Sequence, residues 1–406
     1  MPEAVIVATG RTPIGRAVKG SLKNSRPDDL AAFIIDATLN KIPSLDRQLV
    51  EDLILGCGQP AGEAGYNIAR VAAIQAGMPD VPGVTVNRYC SSSLQSIRMA
   101  AHAIKAGEGD VFVAAGVETV SRYLHGAADT GPHNPLYSDA EARTAKRTEG
   151  GQGTWTPLDG SLPDIYIAMG QTAENVAQYK DVSRESQDEF AALSQQRATA
   201  SLERGFWEGE ITPVETTDDD GKPVTVSQDD GIRAGTTVEG LAKLKPAFRP
   251  DGTVTAGNAC PLNDGAAAVV VMSDTRAKEL GITPLARVVA SGVTGLNPEV
   301  MGLGPVEAIK QALGRAGKSV DDIDLFEINE AFAAQVVPSA RDLGIPYDKL
   351  NVNGGSIALG HPFGMTGARI MTTLIHGLQD ADKTFGVESM CVGGGQGMAM
   401  VIERLS

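Results

Sequence analysis

Two cysteines, a histidine and an asparagine stand in short segments rich in small residues: Cys90 in VNRYCSSSL, Asn329 in INEAF, His361 in GGSIALGHPFG and Cys391 in CVGGGQGMAM. A thiolate, an imidazole and a carboxamide are the parts that thioester chemistry needs. They supply a nucleophile, a base to activate it and a donor for a developing oxyanion. Glycines crowd the same segments (Gly354, Gly355, Gly360, Gly364, Gly393, Gly394 and Gly395), which lets backbone N–H groups approach a ligand closely.

Cys90 follows the strand-like VTVN and stands where a helix, SSLQSIRMAAHAIKAG, begins. There it would feel the positive end of the helix dipole and free amides, both of which lower a thiol pKa. Ser91, Ser92 and Ser93 are candidate caps. The competing reading is an inert buried cysteine. His361, oriented by Pro362, is either the base for Cys90 or a hydrogen-bonded loop histidine. Cys391 has no evident structural use in a reducing compartment and could move protons to and from carbon. Asn329 closes a strand before the helix-like EAFAAQVV, where it either orders a water near an enolate oxygen or caps that helix. Cys57 in LILGCG reads as packing. In combination, thiolate attack gives an acyl-enzyme, and backbone N–H groups at Cys90 and Gly393 hold the tetrahedral oxyanion. His361 and an Asn329-held water would stabilise the departing enolate, which Cys391 protonates.

These residues are carried by a duplicated frame. The helix-like stretch 27–42 and the acidic connector SLDRQLVEDLILGCG recur as 305–316 followed by KSVDDIDLFEINEAF. Further on, VTVNRYC, a helix and DVFVAAGVE parallel LNVNGGSIALGHP, a helix and SMCVGGG. Strands alternating with helices predict βαβ units and a mostly parallel sheet in two α/β halves about a pseudo-two-fold axis. The apolar runs 84–86, 111–115 and 398–402 suit strands buried on both faces. Residues 121–248 match neither repeat. They contain two amphipathic helices (172–179 and 184–204), an acidic hairpin-like tract, ETTDDDGKPVTV, and a basic segment, 233–249. A folded lid over a ligand is expected there.

At 406 residues the chain exceeds one hydrophobic core, so two or three domains are expected. A net charge of −15 argues against nucleic-acid binding, which needs a basic surface. The segment 233–249 carries Arg233, Lys243, Lys245 and Arg249 against one acid, Glu239, and reads either as an anion grip or as a solvated loop. Four cysteines without CxxC spacing make a disulfide framework improbable. Five scattered histidines (His102, His125, His133, His361 and His376) do the same for a structural zinc site. The opening apolar run reads as a strand rather than a signal peptide, and no stretch is long enough to span a membrane. The closing ERLS is not a peroxisomal address. A cytoplasmic protein is expected.

The chain resembles the thiolase family over nearly its whole length: VATGRTPIGR, TAGNACPLNDGAAA, NEAFAAQ, NGGSIALGHPFGMTGAR and CVGGGQGMAM occur in the family's order. The resemblance implies an α/β thiolase fold of two βαβαβαββ halves. These would be residues 1–120 completed by 249–273, and 274–406, with the loop domain 121–248 inserted. It implies that Cys90 is acylated, His361 is its base, and Cys391 is the acid/base at the substrate α-carbon. Asn329 would hold a water, and the Gly393 and Cys90 amides would form the second oxyanion hole. Coenzyme A, as substrate with no resident cofactor and no metal, would lie on Arg233, Lys243, Leu244, Ala259 and Cys260. Ala168, Met169 and Phe332 would border the acyl pocket, and the loop 124–162 would set its length.

Two departures from the family matter. Cys260 stands where many thiolases have serine, and Pro261 follows it where they have glycine. In IAMGQTAENVA, Ala168 precedes Met169 where short-chain and biosynthetic members place histidine, which implies a roomier pocket. The expected activity is degradative: CoA-dependent cleavage of a 3-ketoacyl-CoA to acetyl-CoA and a shortened acyl-CoA. The alternative is biosynthetic acetyl-CoA C-acetyltransferase activity. A β-ketoacyl synthase or a non-catalytic lipid-binding relative fits the Cys391 motif less well. A homodimer or homotetramer is implied, with a β-oxidation complex partner conceivable, and no nucleic-acid or membrane partner.

Overall fold

The opening run AVIVATGR forms the first strand, β1 (Ala4–Arg11), buried along its whole length. The computed structural model describes residues 2–123, 130–157 and 160–406. Through the first half run β2 (Gly15–Arg16), α1 (Pro27–Leu39), β3 (Asp52–Gly56), α2 (Ile68–Gln75), β4 (Gly83–Val86), α3 (Ser92–Ala106) and β5 (Val111–Thr119). The insertion contributes α4 (Ser138–Thr148), α5 (Met169–Tyr179), α6 (Arg184–Glu203), the hairpin β6 (Val214–Thr217) and β7 (Pro223–Val226), and α7 (Val238–Leu241). After it come β8 (Asn263–Ser273), α8 (Asp274–Glu279), β9 (Ala286–Gly295), α9 (Gly304–Ala316), β10 (Leu325–Ile328) and α10 (Ala333–Leu343). The short α11 (Ser356–Leu359), α12 (Thr366–Asp380), β11 (Phe385–Val392) and β12 (Gln396–Arg404) complete the chain.

The strands lie in the order β10-β11-β12-β9-β1-β8-β5-β3-β4, the two halves meeting where β1 pairs antiparallel with β9. The expected mostly parallel sheet is instead mixed. The pairs β3–β4, β3–β5 and β10–β11 are parallel, whereas β5–β8, β1–β8, β11–β12 and β9–β12 are antiparallel. In the second half β11 turns straight back into β12, and a strand returning directly must run antiparallel; in the first half β8 comes back antiparallel beside β5 only after the whole insertion. The duplication is also imperfect, since the counterpart of β4 in the second half shrinks to one parallel bridge between Phe326 and Leu350.

Alternation along the strands divides the core. In β5, Val111, Val113 and Ala115 face α1 and α2, while Phe112 and Ala114 face α3 and α12. In β12, Met398, Met400 and Ile402 join that same central layer, while Ala399 and Val401 face α9 and α10. Both strands are therefore covered on both faces, as their continuous apolar runs predict. The run 84–86 differs: β4 is an edge strand and only half-buried. The central helices α3 and α12 begin beside Cys90 and His361, so the layer that closes the core also positions these two candidate residues.

Candidate active site

Cys90 lies in a single 3-10 turn, Tyr89–Ser91, just ahead of α3. Tyr89 takes a left-handed conformation (φ 42°), uncommon for an aromatic residue and a sign of local strain beside Cys90. The expected serine caps do not form. Ser92 Oγ instead accepts from Arg88 N (2.9 Å) and donates to Tyr89 O (2.7 Å), and Ser93 Oγ accepts from Ala368 N (2.9 Å), tying α3 to α12. The amides of Gly393 and of Cys90 itself lie against the Cys90 sulfur. The expected lowering of its pKa is overturned, because burial outweighs those amides and pushes the thiol up to about 12.

The turn at Gly393 joins β11 to β12, and Gly394 and Gly395 adopt φ of 76° and 79°, which suit glycine. Arg88 holds this turn to the Cys90 turn. Its Nη1 donates to Gln396 Oε1 (2.8 Å), and Gln396 Nε2 donates to Gly393 O (3.3 Å). Cys391, at the end of β11, is fully buried, and burial raises its pKa, with Cys90 and Cys260 adding to the rise. All four cysteines are free thiols, and Cys90, Cys260 and Cys391 are close enough to influence one another.

His361 is fixed by a directional chain of hydrogen bonds. Its Nδ1 is 2.6 Å from Thr366 Oγ1, whose only proton goes to Pro362 O at 2.7 Å. Thr366 must therefore accept from Nδ1–H, leaving Nε2 as the unprotonated atom. Asn329 Nδ2 donates to that Nε2 at 3.3 Å. Asn329 Oδ1 accepts from Ser356 Oγ (2.6 Å), which in turn accepts from the buried Arg369 Nη2 (2.8 Å). Burial first, then the positive charge of Arg369, pushes the imidazole down to about 3, so it is neutral. Asn329 is not a helix cap, because α10 starts only at Ala333 with Phe332 in the capping position.

Buried Glu118 draws the turns together. It accepts from the amides of Gly58 (2.7 Å), Gln59 (3.2 Å) and Gly364 (2.8 Å) and from the Tyr123 hydroxyl. Cys57 packs beside it, its sulfur 3.6 Å from Oε1. A Cβ on Gly58 would meet both Phe363 Cβ (2.9 Å) and Tyr89 O (3.6 Å), so the His361 and Cys90 turns flank one glycine. Asn263 Oδ1 accepts from His361 N at 2.9 Å. Glu118, Thr366, Ser356, Arg369 and Asn263 escape sequence reasoning. A lone acid ending the apolar strand VFVAAGVET was the one usable signal among them.

A cleft of about 410 Å³ opens beside this site, lined in part by Arg16, Lys19, Arg233, Phe248, Ala259 and Cys260. Of the expected coenzyme A contacts, Arg233, Ala259 and Cys260 line it. Lys243 does not and is exposed. Leu244 also lies outside the lining, but packs near Gly257 at the rim. Arg249 is committed internally to Gln171 Oε1 and Asn175 Oδ1, both at 2.7 Å, and cannot grip a phosphate. Phe332, Met169, Ala259, Cys260 and Cys391 share one apolar cluster, whereas Ala168 is exposed at the N-cap of α5. The expectation for 124–162 falls partly on residues 124–129 and 158–159, and His125 with them, outside the described residues. Among the described residues no group of three or more His, Cys, Asp or Glu is placed to hold a metal, and no helix is long and apolar enough to cross a membrane.

Comparison with known proteins places this arrangement. The thiolase N-terminal domain matches residues 4–275 and the thiolase C-terminal domain residues 282–404. The chain belongs to the thiolase family. It is 46% identical to the 3-ketoacyl-CoA thiolase of Bacillus subtilis (strain 168), over 99% of this chain and 100% of that protein. A β-ketoadipyl-CoA thiolase of Acinetobacter baylyi is 44% identical with both chains covered in full. The crystal structure of the Bacillus anthracis acetyl-CoA acetyltransferase matches with a TM-score of 0.85 at 41% identity, covering 100% of this chain and 99% of that one. The thiolase is thus an acyltransferase built on the mixed α/β frame described above.

Proposed function

We propose that this thiolase cleaves a 3-ketoacyl-CoA with free CoA, releasing acetyl-CoA and a shortened acyl-CoA through an acyl-Cys90 intermediate. The observation that carries the reading is a nucleophile sulfur lying against two backbone amides, Gly393 and Cys90, with a neutral imidazole in the adjoining turn.

The hydrogen-bond directions leave His361 Nε2 open to a proton, and the proposed steps start there. Cys90 gives its proton to His361 Nε2 as its sulfur attacks the substrate's 3-keto carbon, and the two amides receive the oxyanion. The bond between carbons 2 and 3 then breaks, its electron pair passing to carbon 2 as a thioester enolate. A proton on Nε2 displaces the Asn329 N–H, so Nε2–H and a water ordered by Asn329 can both serve the enolate oxygen. Cys391 delivers its proton to carbon 2, completing acetyl-CoA. Incoming CoA passes its thiol proton to the Cys391 thiolate and attacks the acyl group, and Cys90 leaves with the proton held by His361.

Coenzyme A is the cosubstrate, gripped by Arg233 with Ala259 and Cys260 along the pantetheine, and no resident cofactor is invoked. Met169 and Phe332 border the acyl chain, and the small Ala168, in place of the histidine of short-chain members, supports a longer chain. The proposed organisation is 1–120 with 249–273, 121–248 and 274–406, acting in the cytoplasm as a homodimer or homotetramer, with a β-oxidation complex as possible setting. The test is thiolysis of acetoacetyl-CoA beside a long-chain 3-ketoacyl-CoA, following loss of the enolate absorbance. Faster turnover of the long substrate is expected. Activity confined to acetoacetyl-CoA would move the assignment to a short-chain or biosynthetic enzyme.

A further inference from the structure

A second recess of about 410 Å³ lies on a different part of the molecule, between the later turns of α3, strand β9 and the end of α9. Arg98, His102 and Lys105 reach it from α3, at a spacing that puts all three on one helix face. Arg315 reaches it from α9, and Ser291 and Met400 complete the floor. None of its lining residues is acidic. In a chain of net charge −15, such a concentration of positive charge is not the background condition of the surface.

The two guanidinium groups are held in place. Arg98 Nε donates to the Ser291 hydroxyl (3.1 Å) and Arg315 Nη1 to the Ser291 carbonyl (2.7 Å), so one residue anchors both like charges side by side. The Nη groups of Arg98, and Nε and Nη2 of Arg315, have no hydrogen-bond partner among the described residues, and neither arginine has an ion pair there. Lys105 Nζ reaches Val288 O at 3.3 Å, and its one acid, Glu3, stands 4.0 Å away. The repulsion is felt: burial first, then Arg88 and Arg315, depresses Arg98, while burial, then Arg98, Lys105 and Arg315, depresses His102. Flexible cations left to themselves splay into solvent. Cations pinned together with free N–H groups form a fork suited to an oxyanion.

We infer that this recess is a binding site for a small, multiply charged phosphate-class anion, separate from the coenzyme A cleft. The size fits, since small-molecule sites span about 300–1,000 Å³ and the recess could hold an organic substituent beside the phosphate group. Inorganic phosphate and a phosphate monoester share the required chemistry, so both are probed.

The experiment is calorimetric titration of the full chain at low ionic strength with inorganic phosphate, pyrophosphate and glycerol 3-phosphate. It is repeated with saturating CoA and with an Arg98→Gln/Arg315→Gln double variant whose fold is checked by circular dichroism. Binding of at least one probe is expected, undisturbed by CoA and weakened tenfold or more in the variant, whose KM for CoA stays within twofold of wild type. Tightest binding by glycerol 3-phosphate would identify a monoester as the ligand, and tightest binding by the inorganic probes a free oxyanion. Absence of binding, displacement by CoA or equal affinity in the variant would overturn the site. So would a variant whose mass in solution changes, because the recess would then face another copy of the chain.

Discussion

Replacing Thr366 with valine removes one oxygen from a buried, nearly isosteric side chain and isolates the tautomer of His361. Thr366 Oγ1 accepts from His361 Nδ1–H at 2.6 Å and donates to Pro362 O. That carbonyl also accepts from the amides of Met365 and Thr366, both at 3.1 Å, so it keeps partners in the variant. The group left alone is Nδ1–H. An orphaned buried donor costs about 1–3 kcal/mol, and the ring can escape this only by moving its proton to Nε2. There the proton meets the Asn329 amide, whose orientation is locked by Ser356 and Arg369, and Nε2 can no longer take a proton from Cys90. With each 1.36 kcal/mol worth about tenfold, kcat/KM for thiolysis should fall roughly 10- to 100-fold. Stability should fall by about 1–3 kcal/mol. Stopped-flow measurement of Cys90 acylation should show the same loss in the first half-reaction, and Thr366→Ser should restore most of it. A valine variant within twofold of wild type, or a serine variant as slow as valine, would refute the tautomer assignment.

Cys90→Ser should form no acyl adduct when incubated with labelled acyl-CoA, because an alcohol is a far weaker nucleophile at neutral pH; a labelled serine adduct would remove Cys90 from its role. Cys391→Ala should still acylate Cys90 but lose exchange of the α-proton in deuterated water, and retained exchange would sink its acid/base assignment. Arg233→Glu should raise the KM for CoA at least tenfold, whereas Lys243→Glu, outside the cleft, should change it less than threefold; the reverse order would mean that the nucleotide lies elsewhere. Finally, His361 is pushed down to about 3 from 6.5. The unfolded chain therefore takes up the proton first as pH falls, so stability from this group is complete above pH 6.5 and is lost towards pH 3. Chemical denaturation should show His361→Gln losing about 2 kcal/mol less than wild type between pH 7 and pH 5. Parallel losses would mean that the imidazole is not held neutral.

Local pattern revealed the parts of this protein that repeat or punctuate. The two halves, the strand runs in β5 and β12, the insertion helices α5 and α6 and the four candidate reactive residues all leave marks within ten or fifteen neighbouring positions, whereas α4 does not stand out from its polar surroundings. What escaped was long-range. Thr366 looks like any helix-opening threonine until Pro362 O claims its proton. Ser356 and Arg369 acquire meaning only through Asn329, and Glu118 only once Gly58, Gln59 and Gly364 converge on it. The basic segment is a case of the same kind. The four cations between 233 and 249 divide in the fold, Arg233 facing the cleft, Lys243 and Lys245 facing solvent and Arg249 folded inward. Charge counting along a chain cannot separate these fates.

The reversal at Cys90 comes from comparing magnitudes. A helix terminus offers a charge about 0.3–1 kcal/mol at the surface and up to about 2 in favourable buried geometry. Raising the thiol from 9.0 to about 12 corresponds to about 4 kcal/mol against the thiolate. Burial wins, and the resting pair is a thiol beside a neutral imidazole rather than an ion pair. That is a disadvantage only if the thiolate must wait for substrate. If proton transfer to Nε2 accompanies attack, the negative charge passes directly from sulfur to the carbonyl oxygen, where the Gly393 and Cys90 amides already stand. In a site with Cys391 fully buried and His361 only 2% exposed, those amides act through a low dielectric and need no reorganisation. The same burial that withholds the thiolate at rest therefore strengthens the stabilisation of the oxyanion at the moment of reaction.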